Sequence, residues 1–345
     1  MKLDPKVGII AIGRNEAAHL HECFTSCASQ ADVVIYVDSD SSDNSVEIAM
    51  RAGAEVLALD HEQPLSAARA RNEGFAHIRQ IRPEIEFVQF IDGDCVLADD
   101  WCTAATATLR SRPDVAIVCG RLREKHPEAS VFNRLCDLEW DQPAGETESC
   151  GGIFMARATS FAAANGFDTT VVAGEEPELC LRLRRMGNTI LRIDDDMARH
   201  DAAMTGLRQW HKRLVRSGHA YAQGAALHGF SRDRHYIREC VSIWAWAFFL
   251  PLVITTLSIC VSMYFGLGVI LYCVQIWRTA HRSTHMARHR KDNWIYATSC
   301  ILGKFSQLLG QWSFMVRAMQ GKRPVIVEHK VMPTASETPP DSSKH

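Results

Sequence analysis

Phe87-Val88-Gln89-Phe90-Ile91-Asp92-Gly93-Asp94 is the stretch on which the reading of this chain turns. Its first five residues, apolar except for one glutamine, have the pattern of a short buried strand. Two carboxylates then flank a glycine where the strand ends. Oxygen donors so placed suit a hard divalent cation that also binds a diphosphate. Much later, Glu175-Glu176-Pro177-Glu178 supplies carboxylates that could act as a general base.

Working outward, candidate strands run from Val7 to Ile12, Val33 to Val37, Glu55 to Leu59 and Val115 to Cys119. Between them, Glu16 to Cys27, Asn44 to Arg51, Leu65 to Ile81 and Asp100 to Arg110 have helical patterning. This alternation predicts an α/β domain, Rossmann-like, with a mostly parallel sheet covered on both faces. In such sheets ligands sit beyond the carboxyl ends of the strands. Gly13-Arg14-Asn15-Glu16, Asp38-Ser39-Asp40 and Asp92-Gly93-Asp94 should therefore share one rim. From Arg121 to Asp201 the alternation weakens, with tight turns expected at Gly151-Gly152 and Gly166-Phe167-Asp168. A helix from Leu179 to Met186, a strand from Thr189 to Ile193 and a helix from Leu207 to Leu227 complete this part.

The 345 residues are 47% hydrophobic with a net charge of −2, which permits a sizeable core and gives no sign of nucleic-acid binding. The twelve cysteines lack both CxxC ligand spacing and a secreted disulfide framework, so a reducing compartment is expected. The start, Met1-Lys2-Leu3-Asp4-Pro5, reads without a signal peptide.

From Cys240 to Trp277 no charged residue occurs, enough for two crossings at ~20 apolar residues each. Pro251 could kink the first, and Gly266 and Gly268 are candidate turn positions before the second. Arg232, Arg234 and Arg238 precede the block, and Arg278, Arg282, Arg288, Arg290 and Lys291 follow it. Basic residues on both flanks predict a hairpin with both ends in the cytoplasm, with Trp244, Trp246 and Trp277 as interfacial anchors. Residues 295–319 are expected to form an amphipathic helix lying on the membrane. His281, His285 and His289 recur at helical spacing among basic residues and read as an anionic-lipid contact rather than a metal site. The expected domains are thus 1–232 catalytic, 233–292 transmembrane hairpin, 293–325 interfacial helix and 326–345 disordered tail.

Gly8-Ile9-Ile10-Ala11-Ile12-Gly13-Arg14-Asn15-Glu16, Val37-Asp38-Ser39-Asp40-Ser41-Ser42-Asp43, Ala70-Arg71-Asn72-Glu73-Gly74 and Asp92-Gly93-Asp94 occur in an order that resembles family 2 glycosyltransferases. That resemblance covers roughly residues 5 to 220 and implies a GT-A fold and inverting sugar transfer. It also extends to a membrane-attached bacterial branch that builds surface polysaccharides or glycolipids. It implies that Asp38, Arg71, Asn72 and Asp92 bind the donor nucleotide, UDP by expectation. Asp94, with Asp92 and His200, would hold Mg2+ or Mn2+, and Gly151 and Gly152 would lie under the donor sugar. Arg213 and Arg216 would close over the diphosphate. Glu176, or failing it Glu175, would be the catalytic base, although the family has Asp where this chain has Glu176. Glu178 is expected to be structural.

Plainer readings stand beside these: a solvent-facing or calcium-binding turn for Asp92-Gly93-Asp94, an ordinary turn for the glycines, and helix capping for the glutamates. His200 could be a structural histidine, and Arg213 and Arg216 a basic helix face. The expected partners are a nucleotide-sugar donor, a lipid-linked or glycan acceptor and membrane lipids, with no nucleic acid. The expected location is the cytoplasmic face of the bacterial inner membrane. Gln209-Trp210 is only a fragment of the Gln-x-x-Arg-Trp pattern of processive relatives, so a single addition is expected. The alternative function is a membrane-anchored nucleotide-binding module without catalysis. A nucleotidyltransferase is disfavoured, since no glycine-rich, lysine-bearing loop opens the chain.

Overall fold

A computed structural model describes residues 6–283 and 290–321. Strands β1 (Val7–Gly13), β2 (Val33–Asp38), β3 (Glu55–Ala58) and β4 (Phe87–Asp92) pair in parallel in the order β3-β2-β1-β4. Helices α1 (Ala17–Ala28), α2 (Ser45–Arg51) and α3 (Ala67–Ile81) make the crossovers. Val7 to Ile12 are all buried, as expected where helices cover both faces of a parallel sheet. Gly74 lets α3 approach closely: a Cβ there would lie 2.7 Å from Ile10 Cγ2. The register pairs Gly13 with Asp38 and Ile12 with Asp92, so the three polar loops do end on one rim.

Beyond β4 the sheet becomes mixed. Strand β8 (Phe154–Arg157) runs antiparallel between β4 and β6 (Val115–Glu124), and β6 pairs in parallel with β9 (Thr189–His200). Two short strands, β5 (Cys95–Leu97) and β7 (Gly145–Glu146), add antiparallel to β9. The sequence pattern ends these central strands early, at Cys119 and Ile193. They continue because their ladder runs on from Val115/Thr189 to Glu124/His200, and Arg121 bonds to Asp196 at 2.9 Å and also pairs with Asp194 across it. That extension sets His200 opposite Cys95 and so beside Asp94.

Helices α4 (Trp101–Ser111), α5 (Val131–Trp140), α6 (Ala158–Ala163) and α7 (Glu175–Arg185) complete the layers. The sequence reading passes over α5 and α6. For α5 the start signal was present, since Ser130 Oγ accepts from Phe132 N and Asn133 N at 3.1 and 2.9 Å. Helix α7 begins at Glu175, four residues before the predicted start, with Pro177 tolerated in its first turn.

Helix α8 (Leu207–His228) leads to a continuous helix, Ile237–Cys260, built from α9 (Ile237–Trp244), a π-helical turn (Ala245–Phe249) and α10 (Leu250–Cys260). Its 24 residues contain an 18-residue stretch of mean hydropathy 2.0 and span about 36 Å, enough to cross a bilayer. The π turn ends two residues before Pro251, which has no N–H to give the helix. Among the described residues this is the one helix long and apolar enough to cross. The predicted second span differs. The chain turns at Val261 and Ser262, before Gly266 and Gly268, and returns as a 3-10 segment (Met263–Val269) and then α11 (Ile270–Arg282). Gly268 sits in that segment, where a Cβ would fall 2.8 Å from Ile254 Cγ1, so its small size lets the arms touch.

Helix α12 (Arg290–Met319) packs one face on α8. A Cβ on Gly218 would lie 2.0 Å from Gln307 O, and one on Gly310 would lie 2.0 Å from Val215 O. The helix predicted to rest on a membrane is docked on α8, while Leu302, Phe305, Leu309 and Trp312 on another face are exposed. His281 Nδ1 lies 2.9 Å from Trp277 O. His285, His289 and the tail 326–345 lie outside the described residues.

Candidate active site

The rim loops are latched to one another. Asn15 and Asp40 both adopt positive φ, 57° and 68°, a conformation asparagine and aspartate tolerate better than most residues. Asn15 Oδ1 accepts from Ser42 N at 2.7 Å, and Arg14 pairs with Asp40 at 3.7 Å. Asp38 is buried, and its carboxylate accepts from Ser41 N at 2.9 Å and from Ser41 Oγ at 2.5 Å.

Arg71, brought by α3 under the end of β4, is buried and joins two carboxylates. Its Nη2 donates to Asp92 Oδ1 at 2.8 Å and its Nη1 to Glu175 Oε1 at 3.1 Å. Burial opposes the guanidinium charge, but Asp92 and Glu175 more than offset it and raise its pKa. Asn72 does not join this group, contrary to expectation. Its side chain brackets the Phe167 peptide, donating to the carbonyl and accepting from the amide at 2.8 Å each. Asn72 therefore fixes the Gly166-Phe167 turn.

Asp94 and His200 do meet, with Asp94 Oδ2 3.1 Å from His200 Nε2. Asp94, Cys95 and His200 each offer a donor atom, all within 4.8 Å of one another. A carboxylate with an imidazole fits Mg2+ or Mn2+ chemistry, while the thiol suits softer metals. Asp92, expected in the same set, is held by Arg71 instead and stands outside this cluster. Trp140 stacks on His200, with ring centroids 4.8 Å apart and planes 12° from parallel.

A cavity of about 500 Å³ opens against these groups, lined by Asp92, His200, Trp140, Gly151, Gly152 and Arg213 among others. A Cβ on Gly152 would sit 3.1 Å from Arg71 Nη2 and 3.6 Å from Asp92 Oδ2, so glycine keeps that wall thin. Gly151 has φ +89°, a region that favours glycine. Arg213 reaches Glu139 Oε2 at 2.5 Å, and Glu139 raises its pKa. Arg216 does not line this cavity. It lies near His219 and helps to lower that imidazole's pKa, after the larger effects of burial and Arg317. Arg192 and Trp140 line the cavity and were not foreseen. Arg192, whose Nη1 donates to Gly120 O at 2.7 Å, is hidden in a strand pattern. Trp140 closes a helix that the pattern did not reveal.

Glu176 is behind the cavity floor rather than on its lining. Its Oε1 accepts from Cys150 N at 2.7 Å and from the Cys150 and Cys180 thiols at 3.0 and 2.9 Å. Burial raises its pKa. Glu178 is structural as expected, held by Arg182 at 2.7 Å and His228 at 3.0 Å. All twelve cysteines are free thiols.

A parallel half-sheet with acid-bearing loops at its carboxyl rim, joined to a mixed half that returns a histidine to the same rim, is the architecture of the GT-A glycosyltransferases. Residues 9–146 match the family model "Glycosyl transferase family 2". Over 235 residues it is 26% identical to the pre-mycofactocin glycosyltransferase of Mycobacterium tuberculosis, in two strains. The match covers 64% of this chain and 48% of the relative, so the chain spans about half the length of the curated relatives it matches. In fold it is similar to the mannosyltransferase PcManGT of Pyrobaculum calidifontis, solved with GDP-Man and Mn2+. That similarity has a TM-score of 0.58 at 18% identity and covers 86% of each chain.

Proposed function

We propose that this chain is an inverting glycosyltransferase that moves a sugar from a UDP-linked donor to an acceptor hydroxyl. The observation that carries this reading is the meeting of Asp94 with His200 beside Asp92, at a cavity walled by Gly151 and Gly152. Asp38, already oriented by Ser41, reads the nucleoside. Asp92, held by Arg71, faces the cavity as a second anchor for the donor. Arg213, on the same wall, answers the charge of the diphosphate. Mg2+ or Mn2+ held by Asp94 and His200 would supply neutralisation of the departing diphosphate.

For the base, Glu176 is preferred to Glu175. Glu175 is tied to Arg71, whereas the partners of Glu176 are an amide and two thiols. A carboxylate raised by burial is better matched to taking a proton near neutral pH. The acceptor proton passes to Glu176 as the hydroxyl attacks the anomeric carbon opposite the leaving diphosphate, through an oxocarbenium-like transition state.

The apolar helix Ile237–Cys260 supports attachment to the cytoplasmic face of a bacterial inner membrane, with the broken return arm and the exposed face of α12 as further lipid contacts. A lipid-linked or polysaccharide acceptor follows from that location. The second reading, a nucleotide-binding module without catalysis, is favoured by one fact: Glu176 lies behind the cavity wall. Membranes incubated with labelled UDP-sugars and Mn2+ distinguish the two. Incorporation or slow donor hydrolysis that disappears in Asp94→Ala supports transfer. Donor binding with neither supports the module.

A further inference from the structure

A second cavity, of about 440 Å³, lies between α7 and the segment 233–239 that leads into the apolar helix. It is set close to the site already described. Ser149 lines both cavities, and Pro177, the residue after Glu176, lines the second. Its walls carry Arg184, Arg234 and Arg238.

These guanidinium groups are unusual in what they lack. Among the described residues none of the three makes an ion pair, although Glu148 and Glu239 line the same cavity. The remaining acid, Asp233, is taken by Arg185 at 2.8 Å. Arg184 Nε is shut off from water and has no hydrogen-bond partner, and the same holds for His235 Nε2. A buried polar atom without a partner is unfavourable, so such atoms call for a ligand that completes them. The backbone agrees, because Arg234 and Tyr236 both hold positive φ, 49° and 59°. Strain of this kind in residues other than glycine persists where the surroundings enforce it, and it clusters at ligand sites. Tyr236 is fixed by packing on Gly224, where a Cβ would fall 2.6 Å from its ring.

We infer that this cavity binds the phosphate group of the acceptor, at the point where the chain passes from the catalytic domain into the apolar helix. The inference rests on the transferase reading and narrows its acceptor to a phosphate-bearing one. Guanidinium forks on several walls match a phosphate, whose oxygens accept from several directions, better than a single carboxylate. Arg238 lies on the first turn of Ile237–Cys260, so a group held there can leave an attached apolar chain beside that helix. Ser149, which lines both cavities, sets this one against the wall of the donor cavity. The phosphate is a handle, and the bond-forming chemistry stays at the first cavity.

The test uses the full chain in neutral detergent without any donor, with phosphatidic acid in mixed micelles as the probe. Binding should be saturable, and Arg184→Gln should weaken it about tenfold, the effect of losing one charged hydrogen-bond donor. Arg234→Gln combined with Arg238→Gln should abolish it with an unchanged melting temperature. Competition by glycerol phosphate as strong as unlabelled phosphatidic acid would identify a soluble phosphate monoester as the source. Failure to compete would identify a lipid headgroup, and either result supports the phosphate site. Equal binding by all variants, or no binding by the wild type, overturns it. Loss of metal-dependent donor hydrolysis in Asp94→Ala tests the transferase reading separately and does not bear on this measurement.

Discussion

Trp140 lies flat on His200, 4.8 Å centroid to centroid, and so fixes the imidazole whose Nε2 faces Asp94. The stack joins the last residue of α5 to the last residue of β9, two elements far apart in the chain.

Removing that support should loosen the donor pair without unfolding the sheet. Trp140→Ala is expected to raise the Mn2+ concentration for half-maximal activity about ten- to hundredfold, as for other residues that orient a ligating histidine. Trp140→Phe should restore most of it. A metal titration of donor hydrolysis provides the check.

Arg71 is buried between Asp92 and Glu175, and no shorter cation can reach both. Arg71→Met should leave two carboxylates facing each other and destabilise the fold by about 3 kcal/mol, the low end for a broken buried pair because Asp92 is 33% exposed. Arg71→Lys should recover only part of this, since an ammonium lacks the fork. Urea denaturation measures both.

Glu176→Gln should lower kcat about 10²- to 10⁴-fold with donor affinity retained. Because burial raises the pKa of Glu176, the acid limb of the rate profile should lie above the ordinary carboxylate range. The stability effect has a definite sign. A raised carboxyl contributes stability while protonated, and that contribution is lost as pH rises through its folded pKa. The variant should therefore gain relative to wild type as pH increases, which thermal melts across pH will show.

Gly218 and Gly310 let α8 and α12 touch backbone to backbone. Gly218→Val places atoms where Gln307 O already sits and should cost about 1–3 kcal/mol, with α12 becoming open to protease first. Donor binding at the rim should survive. Limited proteolysis followed by mass analysis would detect the difference.

Much of the rim was legible from local pattern. Strands that end in Gly13, Asp38 and Asp92 announce their own loops, and parallel pairing leaves those loops no other place to go. Trp140 and Arg192 were not legible, because one ends a short helix lying outside the regular strand–helix alternation and the other sits in a strand and bonds to Gly120, 72 residues away. The second apolar arm is not confirmed as a span, for a different reason. Hydropathy measures how apolar a segment is and says nothing of the 3-10 turn that shortens its α-helical part.

From its amino acids alone this chain specified a Rossmann-like sheet and the acids at its edge, since strand and helix periodicities are local and burial follows from them. Folding alone decided which acids work together. It turned Asp92 to Arg71, gave Asp94 to His200, and set Glu176 against two thiols behind the cavity wall. Those choices depend on side chains that meet across more than a hundred residues for His200 and Asp94, and no local pattern records which of several neighbouring carboxylates a distant cation or imidazole will reach.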